Sequence, residues 1–182
     1  QTATQHLREK GKPVHVLDIA SGHGRYVLDA LAAEALPESV RLRDYSPINV
    51  AAGQALIAER GLQEVATFDE VNAYDRANYQ NLSPRPTLGI VSGLHELFPD
   101  NDLILQSLYG FGDAIEPGGY LIYTGQPWHP QLEMIARCLS SHREGQDWVM
   151  RRRSQQEMDQ LVEKAGFEKV HQWIDDDGIF TV

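Results

Sequence analysis

Two periodicities take turns along the chain. Val14, Val16, Leu17 and Ile19 form a short apolar run behind Pro13, which predicts a strand buried on both faces of a parallel sheet. Val40-Arg41-Leu42-Arg43-Asp44 alternates apolar with polar and predicts a second strand ending in an acid. Residues 64–68, 87–92 and 120–124 predict three more. The last of these follows Glu116-Pro117-Gly118-Gly119, where proline halts a helix and glycine permits the turn. Between these runs the apolar positions recur at helical spacing. Residues 2–11 predict a short helix closed by Gly11, and Leu28, Leu31, Ala32 and Ala35 share a face over residues 26–36, before Pro37. Ser46 caps a helix with Pro47 in its first turn and Gly61 beyond its end. Asp100-Asn101-Asp102 caps another, with Ile104, Leu108, Phe111 and Ile115 on one face. Ser154-Gln155-Gln156-Glu157 is a capping box ahead of Met158, Leu161, Val162 and Ala165. Residues 167–174 and 178–182 predict a hairpin across Asp175-Asp176-Asp177-Gly178, an aspartate run that reads as a solvated turn and not as a metal site. Strands and helices in alternation define an α/β domain.

The first turn carries the candidate chemistry. Gly22 and Gly24 follow the first strand and open a helix, an arrangement that holds a nucleotide-like ligand against bare backbone N–H groups. Val27 stands where a dinucleotide fingerprint has its third glycine, so a pyrophosphate is not required of the ligand. Asp18 lies at the strand's carboxyl end. Asp44, 22 residues after Gly22, has the spacing of a carboxylate that accepts from both ribose hydroxyls.

Asp18-Ile19-Ala20-Ser21-Gly22-His23-Gly24-Arg25 resembles the first motif of class I S-adenosylmethionine-dependent methyltransferases, with Ala20 in place of the usual first glycine. Asp44-Tyr45-Ser46-Pro47 and Glu116-Pro117-Gly118-Gly119-Tyr120 are similar to two further stretches of that family, and the resemblance covers nearly the whole chain. It implies the Rossmann-like class I methyltransferase fold: a seven-stranded mixed sheet, order 3-2-1-4-5-7-6, last strand antiparallel, with helices on both faces. It implies S-adenosyl-L-methionine as cofactor, held by Asp18, Ala20, Ser21, Gly22 and Gly24, with Asp44, Tyr45 and Ser46 at the ribose and adenine. Asn72 and Ala73 fall where the family reads the adenine amino group, the amide oxygen replacing the usual acid, with Asp69 or Asp75 as alternatives; Ser92 and Gly93 fall beside the methionine portion. The chain also resembles a bacterial methyltransferase family often encoded behind an α/β-hydrolase domain. Gln1 at the start then suggests a single domain, residues 1–182, excised from a longer chain and fused upstream.

Composition narrows the partners. A net charge of −10 argues against duplex nucleic acid, whose phosphates supply most of such affinity. Arg151-Arg152-Arg153 is the one basic cluster, either a solvated loop or a site for an anionic group. The sequence has no apolar run long enough to span a membrane and no signal peptide, and Cys138 is its only cysteine, all of which suits the cytoplasm.

Methyl transfer from a sulfonium is an in-line displacement, so the protein must align the partners and remove the acceptor's proton. It needs no metal ligands. His95, after the fourth strand, is the first candidate base, titrating near ~6.5; Glu96 and His129 come second. Residues 126–153, with Trp128, His129, Met134, His142 and Trp148, predict a cover on the acceptor side, and a small-molecule or lipid-like acceptor is expected. A catalytically silent cofactor-binding module and a nicotinamide-dependent dehydrogenase remain as alternatives.

Overall fold

In the computed structural model, residues 1–32, 36–140, 145 and 147–182 are described. The expected Ala35 and His142 lie outside them, and so do the side chains of Leu31 and Ala32. A short helix α1 (Thr2–Glu9) leads into β1 (His15–Ile19), α2 (Arg25–Ala32), β2 (Ser39–Asp44), α3 (Pro47–Glu59) and β3 (Ala66–Glu70). The second half runs β4 (Leu88–Val91), α4 (Asn101–Ala114), β5 (Tyr120–Tyr123), α5 (Leu132–Cys138) and α6 (Gln155–Lys164), with 3₁₀ turns at Arg76–Tyr79 and His95–Leu97.

The five strands form one parallel sheet in the order β3-β2-β1-β4-β5. β1 sits at its centre, Asp18 in register with Leu42 on β2 and Ile90 on β4. Successive β1 side chains go to opposite faces, as strand pleating requires. Val16 joins Leu7, Val27, Leu28, Leu42, Val50 and Phe68 under α1, α2 and α3, whereas Leu17 and Ile19 join Tyr79, Val91, Phe111 and Ile115 on the other side. There α4 also packs on α6 through Ile104, Leu108, Met158 and Leu161.

The expected seventh strand and its partner do not form as strands among the described residues. The terminal hairpin closes, with Trp173 and Val182 exchanging both backbone hydrogen bonds at 2.9 Å. Ile174 and Thr181 bridge within the hairpin, and among the described residues it reaches the sheet through the antiparallel bridge from Thr181 to Gly125, just past β5. Asp175 Oδ1 accepts from the N–H groups of Ile179 and Phe180. That aspartate spends its acceptor closing the turn, and the strands on either side are too short and exposed to extend the sheet further.

Candidate cofactor and acceptor site

Three departures from ordinary backbone, at alternate positions, shape the turn after β1. Ala20, Gly22 and Gly24 take φ of +52°, +56° and +71°. Ala20 thus occupies the left-handed region where the family's usual residue is glycine, at the cost of some strain. A Cβ built on Gly22 meets nothing within 4 Å, so this stretch of backbone borders open space. On Gly24 a Cβ would stand 2.5 Å from Leu42 Cδ1. Gly24 therefore supplies the close helix–strand approach that the missing third glycine would otherwise serve, and Val27 is free to fill the core.

Asp44 gathers this turn. Its Oδ2 accepts from Gly22 N at 2.8 Å; its Oδ1 accepts from Ser46 N at 2.9 Å and from Asn49 Nδ2 at 3.0 Å. A carboxylate has about four acceptor positions, so one remains on Oδ2. Ser46 caps α3 through Asn49 N at 3.4 Å. Tyr45 beside it is 76% exposed, an apolar plate at the sheet's carboxyl edge. Ser21 turns inward: its Oγ donates to the Asp18 carbonyl at 3.1 Å and accepts from Arg43 N at 3.2 Å, while its own N–H donates to the Arg43 carbonyl at 3.0 Å and its carbonyl accepts from Gly24 N at 2.7 Å.

Asp18 is wholly buried. Tyr26 Oη donates to its Oδ1 at 2.5 Å, and Oδ2 has no protein partner. Burial pushes its pKa from 3.8 up to about 7, against the hydrogen bonds from Tyr26 and Ser21, and Asp44 adds to the rise. Burial and the neighbouring Asp18 in turn push the Tyr26 phenol well above its ordinary value. An orphaned buried carboxyl oxygen beside an open glycine turn fits a ligand bearing a cation.

After β3, Asn72 Oδ1 accepts from Tyr74 N at 2.9 Å, which ties the amide oxygen to its own turn. Ala73 is buried behind it, and Asp75 caps the following 3₁₀ turn through Ala77 N. Asp69 lies exposed on β3.

Past β4, Gly93 N donates to Thr124 Oγ1 at 3.0 Å, and Thr124 donates to Ser92 Oγ at 3.4 Å, tying the exits of β4 and β5 together. His95 is 2% exposed and neither ring nitrogen has a partner. Burial foremost, then the Arg153 guanidinium, hold its pKa at about 3, so it does not titrate near 6.5 as expected. Burial raises the Glu96 carboxyl, whose Oε2 is also unpartnered. Both side chains line a cavity of about 10 Å³, water-sized, together with Thr124, Gln126 and Arg153.

The arginine cluster is neither a solvated loop nor an open anion site. Arg153 is 4% exposed and donates to the carbonyls of His95 (2.6 Å) and Phe98 (2.8 Å) and to Asn101 Oδ1 (2.7 Å). Arg151 forms a two-pronged pair with Glu157, which also accepts from Asn101 Nδ2. Only Arg152 stays in solvent. Farther along the cover, His129 Nδ1 accepts from Gln131 N, and His129, Pro130, Leu132, Ala136, Val149 and Met150 surround a larger cavity of about 340 Å³ with Glu133 at its edge.

Sequence reasoning missed the roles of Tyr26 and Gln126, and it marked Arg153 only as part of a basic cluster without its place in the interior or its two carbonyl partners. Tyr26 was in reach, since a first-turn side chain behind a glycine loop points back along the strand. No local pattern marks Gln126, and the arginine run does not reveal which of its members is buried.

The fold is that of S-adenosylmethionine-dependent methyltransferases. The family described as "Putative methyltransferase" matches residues 1–182, and the chain belongs to it. It is 59% identical over 180 residues to "Uncharacterized protein YnbC" of Escherichia coli (strain K12), covering 99% of this chain but 31% of that protein, so it spans about a third of this relative's length. Among solved structures, a S-adenosylmethionine-dependent methyltransferase from Clostridium acetobutylicum superposes with a TM-score of 0.70 at 10% identity, over 98% of this chain and 86% of that one. An O-methyltransferase family protein from Burkholderia thailandensis superposes with a TM-score of 0.70 at 18% identity, over 94% of this chain and 50% of the other.

Proposed function

We propose that this domain binds S-adenosylmethionine across the carboxyl edge of its sheet and transfers the activated methyl to a small-molecule acceptor. The observation that carries the reading is the Asp44 carboxylate, bound to Gly22 N and keeping one acceptor position for a ribose hydroxyl. Ala20, Ser21 and Gly24 shape the cradle beside Asp18. Tyr45 and Ser46 flank the adenosine, Asn72 and Ala73 meet the base, and Ser92 and Gly93 meet the methionine portion. The cofactor supplies a methyl group on a positively charged sulfur, a leaving group ready for displacement.

The acceptor enters beneath residues 126–153. Support comes from the cavity of about 340 Å³, mostly apolar, which suits a small or lipid-like body. Its protic group reaches the cavity at His95 and Glu96, where His95 stays neutral and orients the nucleophile, and the raised Glu96 carboxyl is placed to take the proton. The bridges from Thr181 to Gly125 and from Ile174 to Thr181 stand in this reading for the rudiments of the antiparallel last strand and its neighbour. A single domain fused to an α/β-hydrolase-like partner belongs to the same reading, supported by the greater length of the E. coli relative. So does a cytoplasmic site of action, where the exposed Cys138 thiol stays reduced. No helix among the described residues is long and apolar enough to cross a membrane.

Calorimetry with S-adenosylhomocysteine tests the cofactor site. Asp44→Ala should bind it roughly 10–100-fold more weakly, the loss expected for a charged hydrogen-bond partner. Unchanged affinity in a folded Asp44→Ala protein would remove the assignment.

A further inference from the structure

The water-sized cavity beyond β4 and β5 has six polar side chains in its wall, and they divide into two groups. Three are already engaged. Thr124 Oγ1 accepts from Gly93 N and donates to Ser92 Oγ, Arg151 pairs with Glu157, and Arg153 donates from all three of its side-chain nitrogens. The other three are not. His95, Glu96 and Gln126 are 2%, 8% and 6% exposed, and His95 Nδ1 and Nε2, Glu96 Oε2 and Gln126 Oε1 have no partner. Each of these atoms gave up water on burial, so their gathering around one small cavity points to a ligand group that pairs them.

Their inventory is lopsided. A Glu96 carboxylate oxygen and Gln126 Oε1 can only accept, whereas neutral His95 brings one N–H and one lone pair. The set suits a small group rich in hydrogens. A hydroxyl has a single O–H to give, which leaves one of the two oxygens unpaired. An amino group has an N–H for each oxygen. Room for the rest of such a molecule lies alongside. Gln126 and Arg151 line the small cavity, and their near neighbours His129 and Met150 line the one of about 340 Å³. Arg151 N ties this second stretch to the Glu96 carbonyl at 2.7 Å.

Resting on the acceptor reading above, we propose that the small cavity recognises a primary amino group and that Gln126 is the residue that selects it over a hydroxyl. Glu96 Oε2 and Gln126 Oε1 each accept one N–H, and the apolar body of the amine occupies the larger cavity. The Arg153 guanidinium already acts on the Glu96 carboxyl and balances its charge, which favours the neutral amine over its ammonium form. Gln126, three positions past β5, sets the class of acceptor, while Glu96 stays the group placed to take the proton.

The test is a chemical-shift titration of the intact, isotope-labelled chain with hexylamine, dimethylhexylamine and hexanol, with and without S-adenosylhomocysteine. It is run at about pH 9, where an alkyl amine is partly neutral. Hexylamine should bind roughly 10–100-fold more tightly than hexanol, the loss expected for one buried acceptor left unpaired. Dimethylhexylamine, stripped of both N–H donors, should bind no better than the alcohol. Gln126→Leu removes an unpaired oxygen, so it should resist urea at least as well as the unchanged protein and hold hexanol as tightly. Its preference for hexylamine should largely disappear. Equal affinity for hexylamine and hexanol, failure of hexylamine to bind, or a preference that survives Gln126→Leu overturns the proposal. Failure of S-adenosylhomocysteine to bind while the amine preference holds would instead overturn the cofactor reading and leave this site standing.

Discussion

Gly24 answers two demands at one position, a left-handed backbone and a side of the chain pressed against Leu42. Gly24→Ala meets both penalties and should destabilise by about 2–4 kcal/mol, with the urea midpoint falling and its slope unchanged. Ala20 runs the other way. At φ +52° it lacks the freedom its place demands, and Ala20→Gly should leave stability unchanged or raise it by up to ~1 kcal/mol. A clear loss on that change would show that the alanine methyl packs usefully. Asp18 makes the fold itself pH-dependent. Its folded pKa lies above the ordinary 3.8, so its contribution is full below about pH 4 and drains away as pH rises to about 7. Asp18→Asn keeps an acceptor for Tyr26 and escapes this loss. Its stability relative to the unchanged protein should climb between pH 4 and 7, by up to ~4 kcal/mol at about 1.4 kcal/mol per pKa unit, and then stay flat in urea titrations. At this scale the sequence was partly readable. Asp44 announced itself by spacing, and Ala20 by its place in a motif. Burial of His95, which moves its pKa far from neutrality, depends on residues such as Arg153 that are 58 positions away.

At the scale of elements, the short stretch from Arg151 to Glu157 acts as a strap over the loop that follows β4. Arg153 satisfies two carbonyls and one amide, and Arg151 N also donates to the Glu96 carbonyl at 2.7 Å. Arg153→Lys retains the charge but cannot reach three separated acceptors, so it should cost about 2–4 kcal/mol and speed amide hydrogen exchange across residues 93–101. Protection of that loop unchanged in a folded Arg153→Lys protein would discard the strap. Five helices and the first five strands were legible because each carries its own cap, turn glycine or apolar period; α5, with no capping side chain and no buried residue, was not. The expected sixth and seventh strands have that period as well. What they lack is buried length: Val170 and Ile174 stay 72% and 64% exposed, and period alone does not reveal whether a strand finds a partner.

At the scale of the whole molecule, the proposed cofactor cradle lies at the centre of the sheet and the proposed acceptor side on a later segment, joined to it by the Arg151–Glu157 strap and the bridge from Gly125 to Thr181. Cofactor affinity and acceptor chemistry should therefore separate. His95→Gln should bind S-adenosylhomocysteine normally, and Glu96→Gln, which removes the group placed to take the proton, should lose ~10²–10⁴-fold in turnover once an acceptor is found. The rate of the unchanged enzyme should show no step near pH 6.5 from this histidine, since it is already neutral there. A titration at 6.5 that disappears in His95→Gln would mean the ring is more open to water than its surroundings indicate.

The strand order has a temporal side. β1 must wait for β4, which arrives 72 residues later, before its second edge is covered, since Val16 pairs with Leu88. Neighbours so distant along the chain close slowly, and the apolar β1 edge stays open to other chains in the meantime. During synthesis the first half leaves the ribosome several seconds before β4 can dock, at ordinary rates of about 5–20 residues per second. Yield of folded protein should then depend more on how quickly the chain is made, and how crowded its unfinished copies are, than on the stability of the finished sheet.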